Sequence, residues 1–188
     1  MDITQTFLSG VEDCQEFGEA SDIIKRNSTG KIWLIWGFVY RTIAHQLYGS
    51  SRPQIDLDFI VEKPIEMFDL SGGWRKEINR FGNPKLVNGE KHIDYVLLEN
   101  IYSILHRKLE PSIENFLSGA PLTIQSIAYD VYAKKIIGEI GIKALKNKVI
   151  EINDLYFAEY AAQKKEKSLR KMIQEKAEEL GFSPIFPK

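Results

Sequence analysis

Between Gln54 and Val61 apolar and polar side chains alternate, with Ile55, Leu57, Phe59 and Val61 on one face and Asp56 and Asp58 on the other. A period of two marks an extended strand with one buried face, so the chain has to build a sheet around this segment. Two further segments offer themselves as partners. Lys31–Trp36 is a short apolar run of aromatic and β-branched residues bounded by Gly30 and Gly37. His92–Leu98 alternates again, with Asp94 on the face opposite Ile93, Tyr95 and Leu97. Ile32–Trp36, Gln54–Val61 and His92–Leu98 are therefore expected in one mixed sheet.

Helices are read from the other period. Residues 7–26 form an expected amphipathic helix that buries Phe7, Val11, Phe17 and Ile23–Ile24, and Asn27–Gly30 breaks it. After Gly37, Val39, Ile43 and Leu47 recur every four residues, which predicts a helix ended by Gly49. Gly72–Gly73 and Gly82–Pro84 bracket a helix-like stretch containing Trp74, Ile78 and Phe81. Lys85–Val87 and His92–Leu98 suit a hairpin turned at Asn88–Gly89. Helices are expected at 99–109, 112–117 and 140–145, and strands at 122–132 and 148–152. From 154 to 180 the stripe Leu169, Met172, Ile173, Ala177 and Leu180 predicts a helix or helical pair, stopped by Gly181 and packed on the core or on a second copy. The fold class is α+β.

Composition narrows the function classes. Across 188 residues, 25 basic against 26 acidic side chains give a formal charge of −1, which excludes an electrostatic grip on nucleic acid by the whole surface. Cys14 stands alone, so neither a disulfide framework nor a cysteine-based zinc site can form within one chain. The apolar runs are far shorter than the ~20 residues a membrane span needs. The first residues are acidic, without the basic and apolar regions of a signal peptide. A cytoplasmic protein without a membrane partner is expected.

Asp56 and Asp58 carry the first chemical signal. Carboxylates at i and i+2 on a strand share a face at about 7 Å, close enough to hold one metal or a metal pair. Oxygen donors of this type select Mg²⁺ or Mn²⁺ and leave positions open for phosphates. A merely solvated strand face is the plain alternative. Gly37 lies upstream at the start of a helix, where backbone N–H groups can receive a phosphate. Asp94 completes three carboxylates if its strand lies alongside, and such a group calls for cations. His45, His92 and His106 show no ligand spacing and read as polar surface or local hydrogen bonds, and Trp33 and Trp36 read as core. The tail lysines Lys164, Lys165, Lys167 and Lys171 lie among polar neighbours, as on a solvated helix face.

With these residues in place the chain resembles the DNA polymerase β-like nucleotidyltransferases, most of all the head domain of poly(A) polymerases and CCA-adding enzymes. Leu34–Val39, a helix, Gly49 and then Gln54–Val61 are similar to that group's Gly-Gly-x-Val-Arg-Asp turn and Asp-x-Asp strand. Leu122–Asp130 is similar to its Phe-Thr-Ile-Asn-Ala-Leu-Ala-Tyr-Asp segment, so the likeness runs from about 31 to 152. It departs at Trp36, where the group has its first glycine, at Tyr40–Arg41, which replace Arg-Asp, and at Gly119–Pro121, which replace Arg-Arg-Asp. Those positions serve nucleotide and primer in the family, so the resemblance does not by itself imply CCA synthesis.

The resemblance implies a nucleotidyltransferase-like mixed sheet flanked by helices over 1–152, with 153–188 as a C-terminal helical extension packed on it. It implies a metal-dependent transfer of a nucleoside monophosphate from a nucleoside triphosphate to an acceptor hydroxyl, on an RNA or tRNA 3′ end, a protein or a small molecule. Asp56, Asp58 and Asp94 would hold Mg²⁺ or Mn²⁺ and do the catalysis, with Asp94 as general base. Gly37, Arg41, Arg52 and Arg80 would bind the substrate. The competing expectation is an inactive module of the same fold that binds a nucleotide, RNA or a protein partner; a homodimer is open to either reading.

Overall fold

A computed structural model of the chain describes residues 2–51, 55–65, 69–70, 72–78, 82–89 and 91–187. In order it runs α1 (Ile3–Val11), α2 (Gln15–Arg26), β1 (Ser28–Ile35), α3 (Gly37–Tyr48), β2 (Leu57–Pro64), β3 (Arg75–Ile78), β4 (Pro84–Asn88) and β5 (Lys91–Leu97). There follow α4 (Tyr102–Arg107), α5 (Ile113–Ser118), β6 (Ala128–Asp130), β7 (Lys135–Ile137), α6 (Glu139–Asn147), β8 (Val149–Ile150), α7 (Leu155–Lys164), α8 (Leu169–Leu180) and β9 (Ser183–Pro184). Seven strands form one sheet in the order β3-β4-β5-β2-β1-β6-β7, with β2 and β5 parallel and the other neighbours antiparallel. The three segments expected to share a mixed sheet are its centre.

Strand periodicity gives that sheet two covered faces. Ile32, Leu34, Leu57, Phe59, Val61, Ile93 and Tyr95 join the main core, which also takes in Phe7, Ile23, Val39, Ile43 and Ile173 from the helices. On the opposite face Trp33, Ile35, Ile60 and Ala128 pack with Ile104 of α4 and with Ile113, Phe116 and Leu117 of α5. Asp58 and Asp94 belong by alternation to this second face, two residues before Ile60 and Val96. No helix among the described residues is long and apolar enough to cross a membrane.

Several elements differ from the sequence-based reading. The helix expected over 7–26 is two helices. Ile3, Phe7 and Val11 keep one face, but Cys14, Gln15 and Gly18 cannot continue it, and the chain turns before α2 buries Ala20, Ile23 and Ile24. β1 starts at Ser28, earlier than expected, and its register shifts between Thr29 and Ile32. The helix-like stretch after Gly73 contains the edge strand β3, whose four residues are all exposed. Pairing with β4 prevails there over helical spacing, and Arg75, Lys76 and Glu77 give the edge the charge that discourages further pairing. Phe81 lies outside the described residues. The Asn88–Gly89 hairpin is present, with Asn88 opposite Lys91. The strand expected over 122–132 is a helical turn at Thr123–Gln125 followed by the short β6.

The tail is a helical pair, capped by Asp154 and Ser168, whose side chains accept hydrogen bonds from Phe157 and Lys171 backbone N–H. Met172, Ile173, Ala177 and Leu180 are buried in the chain's own core, so this stripe is not available to a second copy. Gly138, just before α6, has φ +102°, and a Cβ there would lie 2.3 Å from the Ser126 carbonyl oxygen. Backbone cannot retreat as a side chain can. Gly138→Ala is accordingly expected to cost about 2–4 kcal/mol, read as a lower urea midpoint with an unchanged slope.

Candidate active site

Register brings the acidic residues together. Asp58 of β2 stands beside Asp94 of the parallel β5 and, on its other side, beside Ile35 at the end of β1. Gly37 follows two residues later and opens α3, so the helix N-terminus borders the same end of the sheet. Asp56 lies just before β2, and Ile55, expected on the buried face, is 46% exposed. The strand begins one residue after Asp56. Freed from the pleat, Asp56 reaches toward β5, and its Oδ1 lies 3.7 Å from His92 Nε2.

Ligand atoms of Asp56, His92 and Asp94 all lie within 4.8 Å of one another. His92 was not expected in the site, although it stands two residues before Asp94 and shares its face by the same i, i+2 spacing that joins Asp56 to Asp58. Lys85 of β4 is register partner to Asp94, and its Nζ lies 3.8 Å from Asp94 Oδ2. Asp58 is the most enclosed of the carboxylates. Burial first, then the charges of Asp56 and Asp94, push its carboxyl up to about 7, against the weaker pull of Arg41 and Lys85. A carboxylate so destabilised is a place where a cation is favourable, and the aspartates supply the oxygen donors that hard divalent ions prefer. The donor set fits Mg²⁺. With the imidazole counted it suits Mn²⁺ better still.

The turn into α3 carries strain. Trp36, in the position of the expected glycine, has φ 57° and ψ −125°, a conformation natural to glycine and worth about 1–3 kcal/mol of strain in another residue. Its indole packs on Phe116 at 5.7 Å between ring centres, while its Nε1–H is buried without a partner among the described residues. Core packing, as expected for Trp36, is what holds the strained turn. Arg41 lies one turn along α3. Its guanidinium rests where a Cβ on Gly37 would be, and Nε donates to Glu179 of α8. Its charge reaches both Asp56 and Asp58.

Arg52 and Arg80 lie outside the described residues. Arg75 is on the edge strand, two strands from β5, and donates to Glu77 at 2.8 Å. His45 lies 2.6 Å from the Ser50 carbonyl through Nδ1, and His106 stacks on Tyr156 at 4.4 Å, both local roles.

The arrangement defines a class of fold that solved structures share. A CCA-adding enzyme solved with ATP matches 99% of this chain at a TM-score of 0.63 and 19% identity, over 42% of its own length. The Bacillus stearothermophilus CCA-adding enzyme in complex with CTP matches 91% of the chain at 0.61 and 21%, over 41% of its length. The Thermotoga maritima CCA-adding enzyme complexed with tRNA matches 81% at 0.55 and 21%, over 36% of its length. The chain thus spans less than half the length of each. No family model and no curated protein matches the sequence. The chain therefore shares the fold of these CCA-adding enzymes, at low sequence identity.

Proposed function

We propose that the protein is a metal-dependent nucleotidyltransferase, which transfers a nucleoside monophosphate from a nucleoside triphosphate to an acceptor hydroxyl. The observation that carries this reading is the pairing of Asp58 with Asp94 across parallel strands, with Asp56 and His92 at the rim. Asp56, Asp58 and Asp94 would hold Mg²⁺ or Mn²⁺, with His92 as an additional donor. Bound ions would lower the pKa of the acceptor hydroxyl and neutralise charge on the departing pyrophosphate. Asp94 would receive the acceptor's proton. Gly37 and the N–H groups after it would receive phosphate oxygens, and Arg41, Arg52 and Arg80 would offset their charge.

The acceptor class is proposed from the fold alone. Neighbours solved with ATP, CTP and tRNA support a nucleotide substrate and an RNA acceptor. Incubating the protein with each α-labelled triphosphate, Mg²⁺ or Mn²⁺, and in turn RNA, tRNA, protein and small-molecule fractions should label one class. Labelling must disappear with chelator. If every fraction stays unlabelled while triphosphate and metal still raise the melting temperature, the second reading, a non-catalytic nucleotide-binding module, takes its place. The strained Trp36 turn and the tethering of Arg41 to Glu179 favour that alternative.

A further inference from the structure

The break at Cys14 that divides the first apolar stripe into α1 and α2 leaves a groove between the two helices and the end of β6. Its volume is 620 Å³, within the range of about 300–1,000 Å³ usual for small-molecule sites. Leu8 of α1, Phe17 of α2 and, from the sheet side, Tyr129 and Val131 give it an apolar floor. These four belong to or pack on the main core, under the face of the sheet opposite the one that carries Asp58 and Asp94. The groove is therefore separate from the acidic site.

Two features of α2 have no explanation inside the chain. Gly18 stands within the helix, where glycine is among the poorest formers, yet neither a positive φ nor a close neighbour requires it. A Cβ there would meet nothing within 4 Å. One turn on, on the same face, Ser21 is 6% exposed, and its hydroxyl is buried without a hydrogen-bond partner among the described residues. Buried hydroxyls are ordinarily paired. Both residues line the groove, so an empty place lies next to an unsatisfied polar group.

Charge is polarised along the groove. Glu12 lies at the elbow between the helices, whereas Lys25 lies about 16 Å further along the axis of α2, one turn after Ser21 and on its face. Lys134 joins Lys25 at the end remote from the elbow, because the strand that follows it meets the start of α1, where Ile136 N–H donates to Thr4 Oγ1 at 3.1 Å. Neither lysine is ion-paired among the described residues. Asp22, the one carboxylate near them in the groove, is exposed at the rim, where water screens it.

We propose that the groove between α1 and α2 binds a small aromatic acid. Its ring lies over Gly18 against Phe17 and Tyr129, and its acidic group takes the Ser21 hydroxyl and the ammonium groups of Lys25 and Lys134. Glu12 repels that group from the elbow and so fixes the ligand's direction. The site does not depend on the nucleotidyltransferase reading and stands or falls apart from it.

The probe is 2-naphthoate, titrated calorimetrically into the full chain at low salt beside neutral 2-naphthalenemethanol and cationic 2-naphthylmethylammonium. Wild type should bind the acid saturably, the alcohol more weakly and the ammonium most weakly. Gly18→Leu puts a side chain into the empty place and a better helix former into α2, so it should melt no lower than wild type and bind the acid about ten-fold more weakly or worse. Lys25→Ala/Lys134→Gln should lose about ten-fold for the acid and nothing for the alcohol, and Ser21→Ala several-fold for the acid. Lys143→Ala/Lys146→Ala, which removes the same charge from the exposed side of α6, should bind like wild type, as should Asp56→Ala/Asp58→Ala. The proposal is overturned if wild type shows no saturable binding of the acid, if Gly18→Leu binds it like wild type, or if the ammonium probe binds as tightly as the acid. A change of oligomeric state in Gly18→Leu, read by size-exclusion chromatography, would give the groove to a second copy of the chain and overturn it equally.

Discussion

Asp58→Asn is expected to abolish nucleotidyl transfer and, in chelator above neutral pH, to stabilise the fold. The carboxyl of Asp58 titrates near 7 in the folded chain, against an ordinary value of 3.8. Between those values the folded state holds a proton that the unfolded state has released, so stability falls as pH rises from about 4 to 7 and then levels off. The sign is opposite to that of a salt-bridged aspartate. A gap of this size corresponds to about 2–4 kcal/mol, the lower end allowing for relaxation around a group that water can still reach. Asparagine keeps the shape and removes the charge, so the variant should melt several degrees above wild type at pH 8 and at the same temperature at pH 4. Adding Mg²⁺ or Mn²⁺ should reverse the order, because only wild type gains from a bound cation. Transfer should drop by about a thousand-fold or more. Melting curves in chelator that respond to pH identically in the two proteins would show that Asp58 is not desolvated. Undiminished transfer would remove the site.

What the sequence discloses and what it conceals divide along one physical line. Alternation along a strand depends on neighbours in sequence, so Asp58 and Asp94 could be assigned to faces, and the turn signal at Asn88–Gly89 set the hairpin that carries Asp94. Which strands lie side by side is set by side chains far apart in the chain. The parallel pairing of β2 with β5 depends on Leu57, Phe59, Ile93 and Tyr95 entering one core, and no local pattern states that. His92 was passed over for this reason: its spacing to Asp94 was visible, but its nearness to Asp56 arises only once the strands are paired.

Arg41 shows the same limit from the other side. Its place one turn after Gly37 was legible, whereas its bond to Glu179, 138 residues away, was not. Period reading failed where segments were short. The spacing of Trp74, Ile78 and Phe81 mimics a helix, but β4 offers unpaired backbone groups at that edge, and satisfying them outweighs a weak helical preference. In the first 26 residues the apolar stripe changes phase at Cys14, a signal present in the sequence and read as one helix.

Removal of residues 154–188 is expected to unfold the protein. The segment contributes Ala158, Ala162, Met172, Ile173, Ala177, Leu180 and Phe182 to the main core, and Ile173 and Ala158 are fully enclosed. Its last residues also pair with β8. Ser183 N–H donates to the Lys148 carbonyl at 2.9 Å and Ile185 N–H to the Ile150 carbonyl at 2.8 Å, while Phe182 meets the Tyr48 ring at 5.6 Å. Truncating Ile173 alone to alanine should cost about 2–4 kcal/mol through lost burial and the cavity left behind. Several such losses together exceed the 5–15 kcal/mol that a whole domain typically has in reserve. A chain ending at Asn153 would leave Leu145 and Ile150 open to water and Arg41 without Glu179, so it should aggregate or lose its cooperative transition. Circular dichroism melting and size-exclusion chromatography of the truncated chain and of Ile173→Ala test this. A truncated protein that stays monomeric and melts like the full chain would make the tail an appendage.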